Sequence, residues 1–295
     1  MWQRNWTKRS VVAVSGIGLL LCAGSLTLAT TPEQQEKHFK VKDRPLVVLQ
    51  NIVDGRIEVK SWKNQEVVVT SSAAPEKVSI DIEQAGDRID INASSLVDSP
   101  QPHEAEANFL LVVPEQTELQ LKTQTGLILV EQVNGDMKLQ SVAGDVHLKE
   151  VSGYIIVRTT GGSLECSLCS GKLEFTSITG SATITQPALN NVNLMTTTGN
   201  ILYDGDFVHT GFYQMNSGKG LIEVRFSGND SFDLKAETGT GTVDNQAAAL
   251  LKPDSHRDHA ASSNFRRTLV GTVGQGLAKV ELSSYSGTIR ILKRD

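Results

Sequence analysis

The chain has 295 residues, enough for one elongated domain or two compact ones, and holds 25 glycines but only 5% aromatic residues. That balance suits a thin repeat fold better than a thick globular core. The formal charge is -5; Arg4, Lys8 and Arg9 are the only charges before residue 30, so 25 of the 28 basic residues face 33 acids in the rest, which disfavours nucleic acid as a partner.

Residues 1–29 read as an export signal. Arg4, Lys8 and Arg9 form the positive start, Val11 to Leu26 the apolar run, and Thr27-Leu28-Ala29 the small-x-small site, with cleavage after Ala29. The competing reading is an uncleaved membrane anchor. The run is short for a span, however, and is interrupted by Ser15, Gly16, Gly18, Gly24 and Ser25. Cys22 follows Leu20-Leu21 rather than the small residues of a lipoprotein site. The mature protein is therefore expected in the periplasm or at the cell surface, with membrane contact only through the N-terminal segment if it stays uncleaved.

Residues 30–43 are polar and read as a linker. Residues 44–115 read as an N-terminal antiparallel β capping module. In it Leu46 to Leu49 is an apolar strand, and Asp54-Gly55 is a turn leading to Ile57, Val59 and Trp62. Val67 to Val69 is a third strand, and Gly86-Asp87 closes a hairpin between two alternating stretches.

From 116 to 295 the pattern is a β-solenoid. Gly126, Gly135, Gly144, Gly153, Gly162, Gly171 and Gly180 recur every nine residues. Each is followed by apolar residues at the third and fifth positions, such as Met137 and Leu139, or Leu173 and Phe175. Positions two apart share one face of a strand, so these are expected to be buried and the fourth and sixth exposed. The eighth position is also mostly apolar, for instance Val133, Val142, Val151 and Ile178. Later glycines lie farther apart, at Gly199, Gly218 and Gly239. The fold class is thus all-β: a single-stranded β-solenoid with two short strands per coil of about 18 to 21 residues. A three-sided coil of three units is the alternative. The two differ in the neighbour of Glu131, which is Lys149 in the first and Arg158 in the second. Residues 244–269 interrupt the rhythm and read as an inserted loop. Arg290, Lys293 and Arg294 place charge on what the sequence order makes the terminal edge strand.

Candidate chemistry is sparse. Cys166 and Cys169 form a CxxC, but both fall on apolar positions of their unit, so a core or structural-disulfide role outweighs a metal or redox site. Asp254, His256, Asp258 and His259 gather potential metal ligands inside the inserted loop, where a solvated loop is the better reading. Calcium-binding nonapeptide solenoids need repeated Gly-Gly-x-Gly-x-Asp, whereas this chain has only Gly135-Asp136 and Gly144-Asp145. The outward columns of a two-unit coil run Leu129, His147, Glu165, Thr183 and Glu131, Lys149, Ser167, Thr185. None concentrates the carboxylates that polysaccharide-cleaving β-helix enzymes use. No catalytic, cofactor-binding or metal-binding residue is assigned.

These residues resemble the DUF4097 family of exported bacterial "putative adhesin" β-repeat proteins. Its carriers are Gly55-Arg-Ile-Glu-Val59-Lys-Ser-Trp62, Glu66-Val-Val-Val69, Leu111-Val-Val-Pro114, the glycine-led units, and Ser284-Tyr-Ser-Gly287-Thr-Ile-Arg-Ile291. The resemblance covers about residues 46 to 292 and implies a β-solenoid at the cell envelope, with no active-site residues to carry over. The expectation is a non-enzymatic envelope scaffold or adhesin-like binding protein without a cofactor, whose partner is an envelope component, a glycan or another surface ligand. The alternatives are a polysaccharide-processing β-helix enzyme and a self-assembling filament.

Overall fold

A nine-residue unit has room for one short strand and one corner, and that is how the chain is built in a computed structural model, which describes residues 33–98, 101, 103–253 and 267–294. Ahead of the glycine array come β1 (Glu33–Lys40), β2 (Leu46–Asn51), β3 (Ile57–Trp62), β4 (Glu66–Ala73), β5 (Val78–Ala85), β6 (Arg88–Ser95) and β7 (Ala107–Pro114). The array supplies β8 (Glu118–Thr123), β9 (Leu127–Glu131), β10 (Met137–Ser141), β11 (Asp145–Lys149), β12 (Ser152–Thr159), β13 (Leu164–Ser167), β14 (Ser170–Ser177) and β15 (Ala182–Thr185). The longer-period part gives β16 (Ala188–Thr196), β17 (Ile201–Asp204), β18 (Phe212–Ser217), β19 (Ile222–Phe226), β20 (Phe232–Thr238), β21 (Thr242–Asn245), β22 (Lys252–Pro253), β23 (Arg267–Val273), β24 (Ala278–Ser284) and β25 (Thr288–Lys293).

Alternate strands go to alternate sheets. The first sheet runs β1-β4-β7-β3-β9-β11-β13-β15-β17-β19-β25-β21, and the second β22-β23-β20-β24-β18-β16-β14-β12-β10-β8-β2-β6-β5. One coil is therefore one strand from each sheet. In the first sheet Ile128, Val146, Leu164 and Ala182 pair in parallel, followed by Ile201 and Ile222. Glu131 pairs with Lys149, so the coil is two-sided and the triangular alternative is excluded.

The third and fifth positions fill the interior: Met137, Leu139, Val146, Leu148, Ile155, Val157, Leu173 and Phe175 are all buried. The eighth position splits by corner. Val133, Val151 and Cys169 point inward, whereas Val142 and Ile178 are 52% and 55% exposed. At the corner leading from the second sheet to the first, the inward slot belongs instead to a hydroxyl at the seventh position. Ser141, Thr159, Ser177, Thr196, Ser217, Thr238 and Ser284 are buried there. Ser141, Ser177, Thr196, Ser217, Thr238 and Ser284 each accept from the amide of the glycine three residues on, at 2.7–3.1 Å. The hydroxyl also reaches the neighbouring coil, as where Thr159 donates to Ser177 at 2.9 Å and Ser217 to the Gly199 carbonyl at 2.8 Å. A buried backbone amide that a strand cannot pair is thereby satisfied at six of these corners, whereas the Thr159 hydroxyl donates to the Gly162 carbonyl instead.

The glycines at this corner stack on one another. A Cβ on Gly126, Gly144, Gly162, Gly180, Gly199, Gly220, Gly287 or Gly241 would lie 1.9–2.0 Å from the carbonyl oxygen of the glycine in the next coil. The column therefore continues through Gly220, not through Gly218 as the sequence spacing implies.

Both ends depart from the sequence order. The turn expected at Asp54-Gly55 is a coil corner: β2 and β3 lie in opposite sheets, and Gly126 stacks on Gly55. The first coil, β2–β3, sits between β8–β9 and the strands β6–β7. Residues 44–115 thus mix parallel rungs (β2 on β6 and β8; β3 on β7 and β9) with antiparallel pairs (β4 on β7; β5 on β6). The hairpin at Gly86-Asp87 is present. Part of the linker expected over 30–43 is a strand, because β1 pairs antiparallel with β4 along its whole length.

At the other end β24 and β25 slip in between β18–β19 and β20–β21. The charged β25 is accordingly interior, and β21 is the edge, correcting the assignment from sequence order. Of the expected loop at 244–269, residues 244–245 belong to β21, 252–253 to β22 and 267–269 to β23, which is antiparallel to β20, while residues 246–251 are a turn outside the strands. Its middle, residues 254–266, and the export signal at 1–29 lie outside the described residues.

The coils lengthen from 18 to 21 residues where Val192 pairs with Tyr213, and an aromatic plug fills the added space. Phe207 stacks on Tyr203 at 5.1 Å and meets Tyr213 and Phe232 edge-on at 4.6 and 4.7 Å. The Tyr213 hydroxyl donates to the Leu189 carbonyl and accepts from the Val208 amide, and burial pushes its pKa up to about 12. Buried Asp230 accepts from the Phe207 and Ser231 amides, which ties the plug segment down, while burial holds its carboxyl above the ordinary carboxylate range.

Two substitutions test the corner. Gly180→Ala is expected to cost about 3 kcal/mol or more, since backbone has to move. Ser177→Ala is expected to cost about 1–3 kcal/mol by stranding the Gly180 amide. Denaturant melts measure both, and a Gly180→Ala protein as stable as the parent contradicts the stacked-corner account.

Candidate functional site

The interior is filled, so a ligand meets only the outer faces, the corners and the ends. The outward columns stand in the register read from the sequence: Leu129, His147, Glu165 and Thr183 are successive neighbours, as are Lys138 and Ile156. Basic and acidic side chains stand side by side along them. His147 lies 3.7 Å from Glu165. Farther on, Glu223 is held between Arg225 at 2.5 Å and Arg290 at 3.1 Å, and Arg290 also reaches Asp244. Arg294 bridges Asp204 and Asp206. Among the described residues no three His, Cys, Asp or Glu side chains gather as a metal site.

Cys166 and Cys169 are buried and joined as a disulfide across the corner between β13 and β14. Both sulfurs are thereby committed to a bridge. Leu168 inside it adopts a left-handed backbone with φ 56°. The Asp254–His259 cluster lies outside the described residues.

Two grooves mark the corner that carries the glycine column. One, of about 670 Å³, lies at the N-terminal end around Asp54, His103, Glu106 and Thr125. The Asp54 carboxylate accepts from the Thr125 hydroxyl and from the His103 amide at 2.8 Å. The Thr125 hydrogen bond first, and the His103 amide second, hold its carboxyl below the ordinary range. The second groove, of about 290 Å³, lies where β16, β18 and β24 turn the corner. Thr176, Met195, Thr197, Asn216, Ser283 and Tyr285 face it, and none of its lining side chains carries a charge.

The sequence reading missed both grooves and the buried hydroxyl column. The hydroxyls had a signal, a Ser or Thr three residues before each corner glycine, as in Ser141-Val-Ala-Gly144 and Ser284-Tyr-Ser-Gly287. The grooves had none, because they depend on which coils lie side by side.

The family model described as Toastrack DUF4097 matches residues 51–292. No curated protein matches the sequence. Solved structures with a similar chain path include a "putative adhesin" from Bacteroides fragilis (10% identity, TM-score 0.40, covering 90% of this chain and 99% of that one). Another is a "putative cell adhesion protein" from Clostridium sporogenes (11% identity, TM-score 0.31, covering 90% and 100%). A "putative lipid binding protein" from Parabacteroides distasonis is also similar (11% identity, TM-score 0.29, covering 90% and 98%).

Two measurements follow from this geometry. The depressed Asp54 carboxyl contributes stability above the ordinary carboxylate pKa, and the contribution is lost as pH falls through that value toward the lower folded-state one. The gap in melting temperature between the parent and Asp54→Asn is therefore expected to narrow from pH 7 to pH 3; a gap that stays constant or widens contradicts this. The disulfide closes a short loop, sequence separation 3. On chain-entropy grounds its loss in a Cys166→Ala/Cys169→Ala protein is expected to cost about 2 kcal/mol, read by denaturant melts.

Proposed function

The chain belongs to the DUF4097 (Toastrack) family, and on that premise we propose that it is an exported, non-enzymatic β-solenoid serving as an adhesin-like binding surface or scaffold of the cell envelope. The observation that carries this reading is the juxtaposition of acidic and basic side chains on the outer faces. Glu131 stands beside Lys149, His147 beside Glu165, and Glu223 between two arginines. A glycan-cleaving β-helix needs carboxylates set near one another with different proton affinities. On these columns carboxylates stand beside basic side chains, as befits an extended contact surface; carboxylates that do neighbour one another, Asp54 with Glu106 and Glu83 with Asp90, lie toward the N-terminal end.

The ends bear on the filament alternative. Rung-on-rung growth needs parallel edges, yet β1, β5 and β22 are joined to their sheets by antiparallel pairing. β21 ends the first sheet with only 4 residues, one of them Asp244. Short or charged edges oppose further pairing.

Export is supported by the Cys166–Cys169 bridge, which suits an oxidising compartment, and by the signal pattern of residues 1–29. Among the described residues no helix is long and apolar enough to cross a membrane.

Cell fractionation with N-terminal sequencing tests export: the expected result is protein outside the cytoplasm that begins at Thr30. Binding of the purified protein to immobilised matrix proteins, cell-wall fragments and polysaccharides tests the rest. Saturable binding to at least one of them without release of reducing ends is expected. Release of reducing ends by the protein sinks the non-enzymatic reading, and failure to bind any surface sinks the adhesin-like one.

A further inference from the structure

We infer that the groove beside Tyr285 is a binding site for neutral polysaccharide, an assignment that rests on the adhesin-like reading and names its ligand class. A single exposed aromatic is ordinary on a protein surface. Tyr285 is set apart by its neighbours. It is 71% exposed. In the stack of coils its corner lies between those of Gly218 and Gly239, since β24 pairs with β18 on one side and β20 on the other. Side chains are barred from both flanks. A Cβ on Gly218 would lie 2.5 Å from the Thr197 carbonyl oxygen, and one on Gly239 2.6 Å from the Tyr285 carbonyl oxygen. On the Gly239 side the ring itself reaches in, with Cδ2 3.7 Å from where a Cβ would stand, so the open space lies over Gly218, in a column that elsewhere carries Val142, Thr160, Ile178 and Thr197.

The backbone beneath the ring is fixed from both sides. The Tyr285 carbonyl accepts from the Thr240 amide at 2.9 Å, and the Ser286 amide donates to the Gly218 carbonyl at 2.9 Å. The ring is thus mounted on a rigid corner of the sheet rather than on a free loop.

The gap over Gly218 is the groove. Met195 and Thr197 form one wall and Ser283 and Tyr285 the other, with Asn216 on the rung between. The walls are two rungs apart, about 10 Å, wide enough for a pyranose ring. The chemistry matches one ligand class. The C–H face of a pyranose stacks on an aromatic ring, and its hydroxyls both donate and accept, as do the Asn216 amide and the Thr176, Thr197 and Ser283 hydroxyls. A nucleic acid or an acidic glycan asks for cations, and none lines the groove. The same arrangement suits a polymer, because the groove is open and lies at the margin of a continuous sheet.

Affinity electrophoresis of the protein, purified as the cell makes it, tests the site with laminarin, xyloglucan, dextran and mannan as neutral probes and alginate as the anionic one. Retardation by at least one neutral probe is expected, weakened about tenfold in Tyr285→Ala and retained in Tyr285→Trp. Thr197→Arg, which fills the groove from the opposite wall, is expected to weaken it likewise, and thermal melts of each variant confirm folding. The site is overturned if no neutral probe retards the parent, if Tyr285→Ala and Thr197→Arg bind as the parent does, or if alginate binds in preference. Retardation by the neutral probes that survives Tyr285→Ala, with surface binding intact, overturns the site and leaves the adhesin-like reading standing; absence of all surface binding by the parent overturns that reading itself.

Discussion

Everything in this fold depends on how closely two coils approach at one corner. Neighbouring strands in a sheet lie about 4.8 Å apart, and a corner that turns from one sheet to the other has to keep that spacing while its backbone still bonds to the coil beside it, as Ala143 N–H does to the Gln124 carbonyl. The chain meets the constraint by removing the side chain. Gly162 lies over Gly144 and Gly180 over Gly162, with no room for a Cβ. The φ of these residues is not in the left-handed region, so their role is contact distance rather than backbone freedom. At the opposite corner the chain solves a different problem. Gln132, Glu150, Leu168 and Gln186 take left-handed φ values of 48–59° there without being glycine. Each amide of this second column donates to the coil beside it, as Glu150 does to the Ser167 carbonyl at 2.9 Å. The ladder thus compensates a conformation that non-glycine residues otherwise avoid.

A period set by close contact is easy to read in a sequence, and this explains what was legible. Met137, Leu139, Leu173 and Phe175 announced their burial because a two-residue alternation follows each glycine. The two-sided coil was legible too, since a column of outward residues changes with coil length. Strand order at the ends was not. β20–β21 and β24–β25 carry the same pattern, and nothing in either pair says which lies next to β18–β19. The same holds for β2–β3 and β6–β7. Pairing between equivalent coils is decided by the length of the connections and by edge protection, which periodicity does not encode.

The hydroxyl column was hidden for another reason. Ser177 or Thr196 reads as a polar residue near a turn, which sequence logic assigns to the surface. In the coil each is buried, because a corner amide needs a partner more than the core needs another methyl group. The error over Val142 and Ile178 is its mirror image, two apolar residues turned outward where the hydroxyl occupies the interior. Once the corner is seen as an amide to be satisfied, both assignments follow from one cause.

The same strictness makes the irregular coils informative. Where coils keep an 18-residue step, each corner column is filled and the surface is even. Where the step rises to 21, between Ile201 and Ile222, the interior gains the aromatic plug around Phe207 and the corner gains Gly218 ahead of Gly220. The strand beside β18 in the second sheet, β24, comes from the far end of the chain and brings Tyr285 beside the gap. The groove is therefore assembled from parts remote in sequence, at the place where the repeat loses its period. A solenoid can vary such a place without disturbing the stacked corners, because the glycine column runs on through Gly220 and Gly287 beneath it.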